Sequence, residues 1–259
     1  MNHKVIYEKR KDGVASVVLN RPDKLNALDV EAKLRLGEIW DDIAEDPEVR
    51  AVLLSGTGSR AFCAGSDIKE MSQTGNIIST NGLQRALPSL TRPLDKPVIA
   101  ALHGYTIGMG LTLAIHCDIR IAAKNTVLGF PEVKHGMLSG ISAVRLPLII
   151  PTGYAMELLL TGETITAEEA LRIGLINRIV DGDVLEEAEK LAVKIAGLPT
   201  PGVQATTRLA RIAIHDIVLA HTADIDRERL GIEQAAGFVD RARAFTENRN
   251  TSNKNKPGE

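Results

Sequence analysis

The chain is 259 residues long, 44% hydrophobic and 25% charged, which is the composition of a globular protein of one or two domains whose core needs neither metal nor disulfides. Its 31 Lys and Arg against 33 Asp and Glu leave a net charge of −2, and aromatic residues make up only 3%, so neither a nucleic-acid-binding surface nor a base-stacking platform is expected. Cys63 and Cys117 lie in apolar surroundings and read as buried, reduced thiols; with no signal peptide at the N-terminus, a cytoplasmic protein is expected.

Residues 5–7 and 14–19 alternate as strands do around the charged turn Lys9-Arg10-Lys11-Asp12-Gly13, which predicts a hairpin. The polar loop Arg21-Pro22-Asp23-Lys24-Leu25-Asn26-Ala27-Leu28 follows. From Asp29, a candidate N-cap, the apolar residues Val30, Leu34, Leu36, Ile39, Trp40 and Ile43 recur at near-helical spacing up to Asp46-Pro47. Residues 52–56 read as a short apolar strand, and the loop Phe62-Cys63-Ala64-Gly65-Ser66-Asp67-Ile68-Lys69-Glu70-Met71 opens a helix around Ser66 or Asp67. Residues 72–82, rich in Ser, Thr, Asn and Gly, are expected to be mobile.

The stretch from Pro97 to Cys117 carries no Asp, Glu, Lys or Arg, which raises the question of a membrane span. Gly104, Gly108 and Gly110 interrupt it and His103 and His116 sit within it, so it reads as a strand at 98–102, a glycine turn and a helix from Met109 to Cys117. A further strand is predicted at 119–123. Beyond Ser139 the pattern is helical, apart from a strand at 176–180, with helices at 185–195, 203–220 and 224–245 and a hinge at Pro199 and Pro201. Short apolar strands alternating with helices indicate an α/β core with right-handed crossovers. The expected organisation is a core over residues 1–198, a helical region over 199–247 and a polar tail over 248–259.

Two loops share one design, a buried strand leading through glycine to a helix N-terminus: Ala64-Gly65-Ser66-Asp67, and residues 104–110. Such a junction offers unpaired N–H groups at the positive end of a helix dipole. If the two loops face each other, their amides can converge on one developing oxyanion, although glycines at these places serve equally as plain turns. There is no Gly-x-Ser-x-Gly elbow, no phosphate loop and no dinucleotide fingerprint, and the six His show no metal-ligand spacing, so no metal site is expected. His116 reads as a core residue and Cys63 as packing inward, and His135, near Glu132, is at most a supporting group. Glu132 follows Phe130-Pro131 among apolar residues, where partial desolvation would raise its pKa and suit it to general acid–base work. The same segment would equally let it pair with Lys134 at the surface.

The segment from Phe62 to Met71, His103-Gly104-Tyr105-Thr106-Ile107-Gly108-Met109-Gly110 and Pro131-Glu132-Val133-Lys134-His135-Gly136 resemble, in order and spacing, the crotonase (enoyl-CoA hydratase/isomerase) superfamily. The loop at residues 21–28, residues 160–163 and 174–177, and Glu233-Gln234-Ala235-Ala236-Gly237-Phe238 fit the same pattern, so the likeness covers nearly the whole chain. The resemblance implies a spiral of ββα units followed by a helical trimerisation region, assembled as a trimer or a dimer of trimers. It implies an acyl-CoA thioester as substrate, with no cofactor beyond the CoA that belongs to it. The N–H groups of Ser66 and Met109 match the oxyanion-hole donors. Lys24, Leu25, Ala64, Asp67, Ile68 and Lys69 match positions around CoA, and Phe238 and Arg241 match C-terminal positions that reach a neighbouring subunit's CoA site. Hydratases of the family hold water between two glutamates; here one is Glu132, but the other position is Thr112. A single glutamate resembles the family's isomerases, so proton transfer of the isomerase type is expected. The alternatives are hydration with Thr112 holding the water, and a non-catalytic acyl-CoA- or RNA-binding relative, the last disfavoured by the near-neutral charge.

Overall fold

The computed structural model describes residues 3–70 and 78–234. The expected hairpin is β1 (Val5–Lys9) and β2 (Val14–Leu19), antiparallel, with Val5 opposite Leu19. Helix α1 (Val30–Glu45) follows, capped by Asp29, whose carboxylate accepts from the Ala32 N–H at 2.8 Å. Its buried face is Ala32, Leu36, Ile39, Trp40 and Ile43. Leu34, which the apolar spacing placed on this face, is 52% exposed, and Lys33 turns inward with only 3% of its surface exposed. The reason is angular: residue 33 shares a stripe with 36 and 40, at spacings of three and four, and residue 34 lies about 100° further round the helix.

Three strand–strand turns then wind as a spiral. They are β3 (Ala51–Gly56) with β4 (Ala61–Cys63); β5 (Val98–Leu102) with β6 (Tyr105–Ile107); and β7 (Ile119–Ala123) with β8 (Val127–Gly129). The helix α2 (Thr80–Arg85) precedes the second turn and α3 (Met109–Ile115) ends it; a 3-10 helix, Pro131–His135, ends the third. The first strand of each turn pairs in parallel with its predecessor, giving a six-stranded sheet in the order β1-β2-β3-β5-β7-β10, with β10 at Arg178–Val180. The second strands stack in a separate sheet, β4-β6-β8-β9, closed by antiparallel β9 (Thr164–Thr166). This is the α/β spiral of ββα units that the sequence resemblance implies.

Strand alternation divides the apolar residues between two cores. Val52, Leu54, Val98, Ala100 and Leu102 face the main one, whereas Ala51, Leu53, Ile99 and Ala101 face outward. The outward set is covered by Val184, Ala188, Ala192 and Ala196, spaced by four along α7 (Val184–Ala196), after α4 (Gly140–Arg145), α5 (Thr152–Thr161) and α6 (Ala167–Arg172) in the chain. The last two helices, α8 (Thr200–Ala220) and α9 (Thr222–Gln234), dock back on the spiral: Arg211 pairs with Asp118 and donates to the carbonyls of Leu94 and Lys96.

Several expectations are corrected. Residues 80–82, expected to be mobile, begin α2, where the Ser79 hydroxyl caps the helix by accepting from the Gly82 N–H. The helix from Met109 ends at Ile115, two residues early. In the first glycine loop the helical residues start at Ile68, with Ser66 still bridged to Leu28. The last predicted helix is described to Gln234, and the rest of it and the tail lie outside the described residues.

Gly110 is where α3 crosses β4: a methyl group there would sit inside contact distance of the Cys63 carbonyl oxygen and close to the Cys63 side chain. Backbone gives way poorly, so Gly110→Ala is expected to cost about 1–3 kcal/mol despite alanine's better helix propensity. Urea denaturation of the two proteins measures the difference.

Candidate active site

The first glycine loop is aimed by a parallel bridge. The Leu28 N–H donates to Gly65 O at 2.8 Å and the Asp67 N–H donates to Leu28 O at 2.9 Å. These bonds use the groups flanking Ser66, so the N–H of Ser66 itself points away from Leu28. Beneath the loop, buried Asn26 donates to the carbonyls of Thr57 (2.9 Å) and Ala61 (2.8 Å) and accepts from the Arg21 N–H (2.8 Å). Asp67 pairs with Arg21 at 2.9 Å and accepts from the Glu70 N–H at 3.3 Å, capping the helix that begins there.

The second loop arrives from β6. Gly108 has φ +54°, a conformation open to glycine, and its N–H donates to Gly129 O at 2.9 Å. Met109 is the first residue of α3, so its N–H has no partner within the helix. A methyl group placed on Gly65 would stand 3.7 Å from Met109 N, and one on Gly108 would stand 3.0 Å from Glu132 Oε1. The two loops therefore face each other, with the Glu132 carboxyl beside them.

Pro131 starts the 3-10 turn that carries Glu132, and Gly136, left-handed at φ +65°, ends it. Lys134 pairs with Glu163 at 2.6 Å, which removes the surface partner the sequence allowed Glu132. Burial pushes the Glu132 carboxyl above the usual carboxylate range, offset in part by its own N–H and by the nearby Ser139 hydroxyl. Glu132 Oε2 and Ser139 Oγ are both buried, and neither makes a hydrogen bond of full geometry among the described residues, although the hydroxyl lies near enough to favour the ionised carboxyl. A polar atom of a ligand would satisfy them.

Thr112 is one turn into α3 and buried; its hydroxyl donates to Gly108 O at 3.0 Å or to Ser142 Oγ at 2.6 Å. His116 is buried, with Nδ1 2.8 Å from Thr112 O. Cys63 is fully buried and its thiol is pushed up to about 12, so it is protonated at neutral pH.

One cavity of about 1240 Å³ joins these groups. Ser66, Met109, Thr112 and Glu132 line it, and so do Lys24, Leu25, Ala64, Asp67, Ile68 and Lys69. Phe238 and Arg241 lie outside the described residues. Lys33, Ser139, Ser142, Arg229 and Ile232 also line the cavity and were not among the sequence candidates. Lys33 was legible in the spacing of α1; Ser139 and Arg229 were not, because chain reversals bring them in. No cluster of His, Cys, Asp and Glu suited to a metal ion occurs among the described residues.

A family model described as enoyl-CoA hydratase/isomerase matches residues 9–250. The chain belongs to the enoyl-CoA hydratase/isomerase family. It is 41% identical to (E)-benzylidenesuccinyl-CoA hydratase of Thauera aromatica over 211 residues, 80% of this chain and 82% of that protein. It is 40% identical to the short-chain-enoyl-CoA hydratase of Clostridium acetobutylicum over 199 residues, 74% of each chain. Among solved structures, carnitinyl-CoA hydratase from Mycobacterium avium superposes with a TM-score of 0.85 at 34% identity, covering 95% of this chain and 96% of that one. Membership of this family makes the protein an acyl-CoA-processing enzyme.

The raised Glu132 pKa has a consequence for stability. A carboxyl that holds its proton more tightly in the folded state destabilises that state as pH rises through the interval between its unfolded and folded pKa values. Glu132→Gln removes the ionisable group, so it is expected to melt higher than wild type at pH 7. The gain should vanish at a pH below about 4, where wild type is protonated in both states. Thermal melts across this range measure it.

Proposed function

We propose that this family member reversibly adds water to a 2-enoyl-CoA thioester, with Glu132 as its one carboxylate acid–base. The observation that carries the proposal is the placement of the Glu132 carboxyl, with an unpartnered oxygen, beside the Gly65 and Gly108 turns. The hydratase names of relatives at 40–41% identity support water as the second reactant.

In this reading the thioester oxygen accepts from the N–H groups of Ser66 and Met109. They stabilise the enolate that forms when a nucleophile attacks C3, and each such donor contributes roughly 3–4 kcal/mol in comparable sites. Glu132 takes a proton from water as its oxygen bonds to C3, then delivers a proton to C2, leaving the 3-hydroxyacyl thioester and an ionised carboxylate. Lys24 and Lys69 lie on the cavity wall that would meet the CoA moiety. No cofactor beyond that CoA takes part. The two unpaired, buried cysteines suit a cytoplasmic setting.

A second reading, double-bond isomerisation, is favoured by Thr112. Its hydroxyl is already bonded to Gly108 O and Ser142, and no second carboxylate stands at this position to orient water. Glu132 alone would then carry a proton between C2 and C4. A paired assay on crotonyl-CoA and a 3-enoyl-CoA separates the two: hydration of crotonyl-CoA faster than isomerisation supports the first, and the reverse order the second. In either case Glu132→Gln is expected to lose at least about 10²-fold in kcat/KM, while CoA-thioester binding persists. The kcat/KM profile should fall on the acid side with a pKa above the ordinary glutamate value of about 4.3.

We further propose a homo-trimer or dimer of trimers. Leu160 on α5 is 66% exposed and Leu209 on α8 is 70% exposed, with Met156 and Ile212 on the same helices also exposed. Apolar groups of this size suit a subunit interface. Light scattering at micromolar concentration is expected to give at least the trimer mass; a monomer would overturn this assembly.

A further inference from the structure

Lys33 is the buried cation of this site that neither the oxyanion donors nor Glu132 account for. It lines the cavity and is 3% exposed. It enters no hydrogen bond or ion pair through its ammonium group among the described residues. The carboxylates near it, Glu70 first, attract it without a direct bond, and each makes direct contacts with other groups. Asp29 caps α1 and pairs with Lys4 at 2.7 Å and Arg21 at 3.2 Å. Asp67 pairs with Arg21, and Glu70 Oε2 accepts from the Val30 N–H at 2.9 Å. The adjacent Cys63 is held as a neutral thiol.

The attraction of Glu70, Asp29 and Asp67 reaches this cation without direct pairing and does not offset its burial. Residue 33 lies in the first turns of α1, where the helix dipole disfavours positive charge. Burial removes its hydration and pushes its pKa down to about 8, so that it is still mostly protonated at neutral pH. An apolar residue would fill the same space without that cost. An incoming anion would supply what the ammonium lacks, and the cavity it lines is the one that takes the thioester.

We infer that Lys33 selects an acyl group bearing its own carboxylate, so that the preferred substrates are mono-CoA thioesters of dicarboxylic acids. This deepens the acyl-CoA reading and rests on it. The CoA phosphates are the other anions of such a ligand, but they are multiply charged and strongly hydrated, and exposed Lys24 and Lys69 at the cavity suit them better. A single carboxylate matches a single buried ammonium.

The test is calorimetric binding of glutaryl-CoA and adipyl-CoA against butyryl-CoA, hexanoyl-CoA and free CoA, with wild type and Lys33→Met. Wild type is expected to bind at least one carboxyacyl-CoA tenfold or more tightly than the uncharged acyl-CoA ligands, and Lys33→Met to abolish that preference. The preference should also shrink above pH 8 as Lys33, which faces Glu70, Asp29, Asp67 and the neutral Cys63 thiol, loses its proton. Lys33→Met should melt at or above the wild-type temperature, since it removes a buried charge. Equal affinities in wild type overturn the inference. So does a variant that weakens every CoA ligand equally, which marks a phosphate contact, or one that melts several degrees lower, which marks a structural cation. Failure of wild type to bind any CoA ligand overturns the acyl-CoA reading itself, and this inference with it.

Discussion

Gly65 and Gly108 approach so closely that a methyl group on either would stand about 4 Å from the other's Cα, and the candidate site depends on this meeting of two backbone turns. It brings Ser66 and Met109 to the wall of one cavity, as the proposed oxyanion role of their N–H groups requires. The short sheet holds it in place: Ala61 pairs with Tyr105, Ile107 with Gly129, and the Gly108 N–H with Gly129 O. Glu132 comes three residues after the end of β8, so the same short sheet positions both glycine turns and the carboxyl.

The spiral supplies rigidity from elsewhere. The central strands β3 and β5 of the larger sheet are buried on both faces, and the alternation of Val52, Leu53 and Leu54 and of Ile99, Ala100 and Ala101 seals each between two cores. For the proposed oxyanion role, turns held in this way would need little reorganisation as charge develops. The cost is carried by the buried ionisable groups. Among the described residues Glu132 and Lys33 are each desolvated and make no direct pairing at one charged atom, whereas the buried cations Lys96 and Arg120 donate to the carbonyls of Ala44 at 2.8 Å and of Leu175 and Cys117 at 2.7 Å. Groups left unpaired in this way destabilise the fold, and a ligand that pairs them gains binding energy from the same source.

Thr112 shows how a residue's type and its surroundings answer different questions. Its type says that a carboxylate is missing from the helix after the glycine turn. Its surroundings say that the hydroxyl is held by Gly108 O and Ser142, two groups that a reading of the linear chain does not bring together. The contribution of Ser139 beside Glu132 is of the same kind. It depends on the left-handed turn at Gly136, which folds the chain back over the carboxyl.

The sequence by itself determined the parts governed by local periodicity and by motif: the hairpin at the start, the amphipathic face of α1, the apolar strands β3, β5 and β7, and the glycine loops with Ser66, Met109 and Glu132. These are properties of a few consecutive residues, set by the two-residue period of a strand, the 3.6-residue period of a helix and the special conformations of glycine. Strands β4, β6, β8 and β9, each three residues long, were not legible, because so short a run carries no alternation and exists only through its partners. The inward turn of Lys33 in place of Leu34 belongs partly to each: the helical stripe contains it, but a charged residue was not counted as core. Tertiary structure alone decided that Lys134 pairs with Glu163 and leaves Glu132 to the cavity, and that Lys33 and, from α9, Arg229 and Ile232 line that cavity. Each of these depends on contacts between residues distant in the chain, and burial and charge pairing are fixed only when such residues meet.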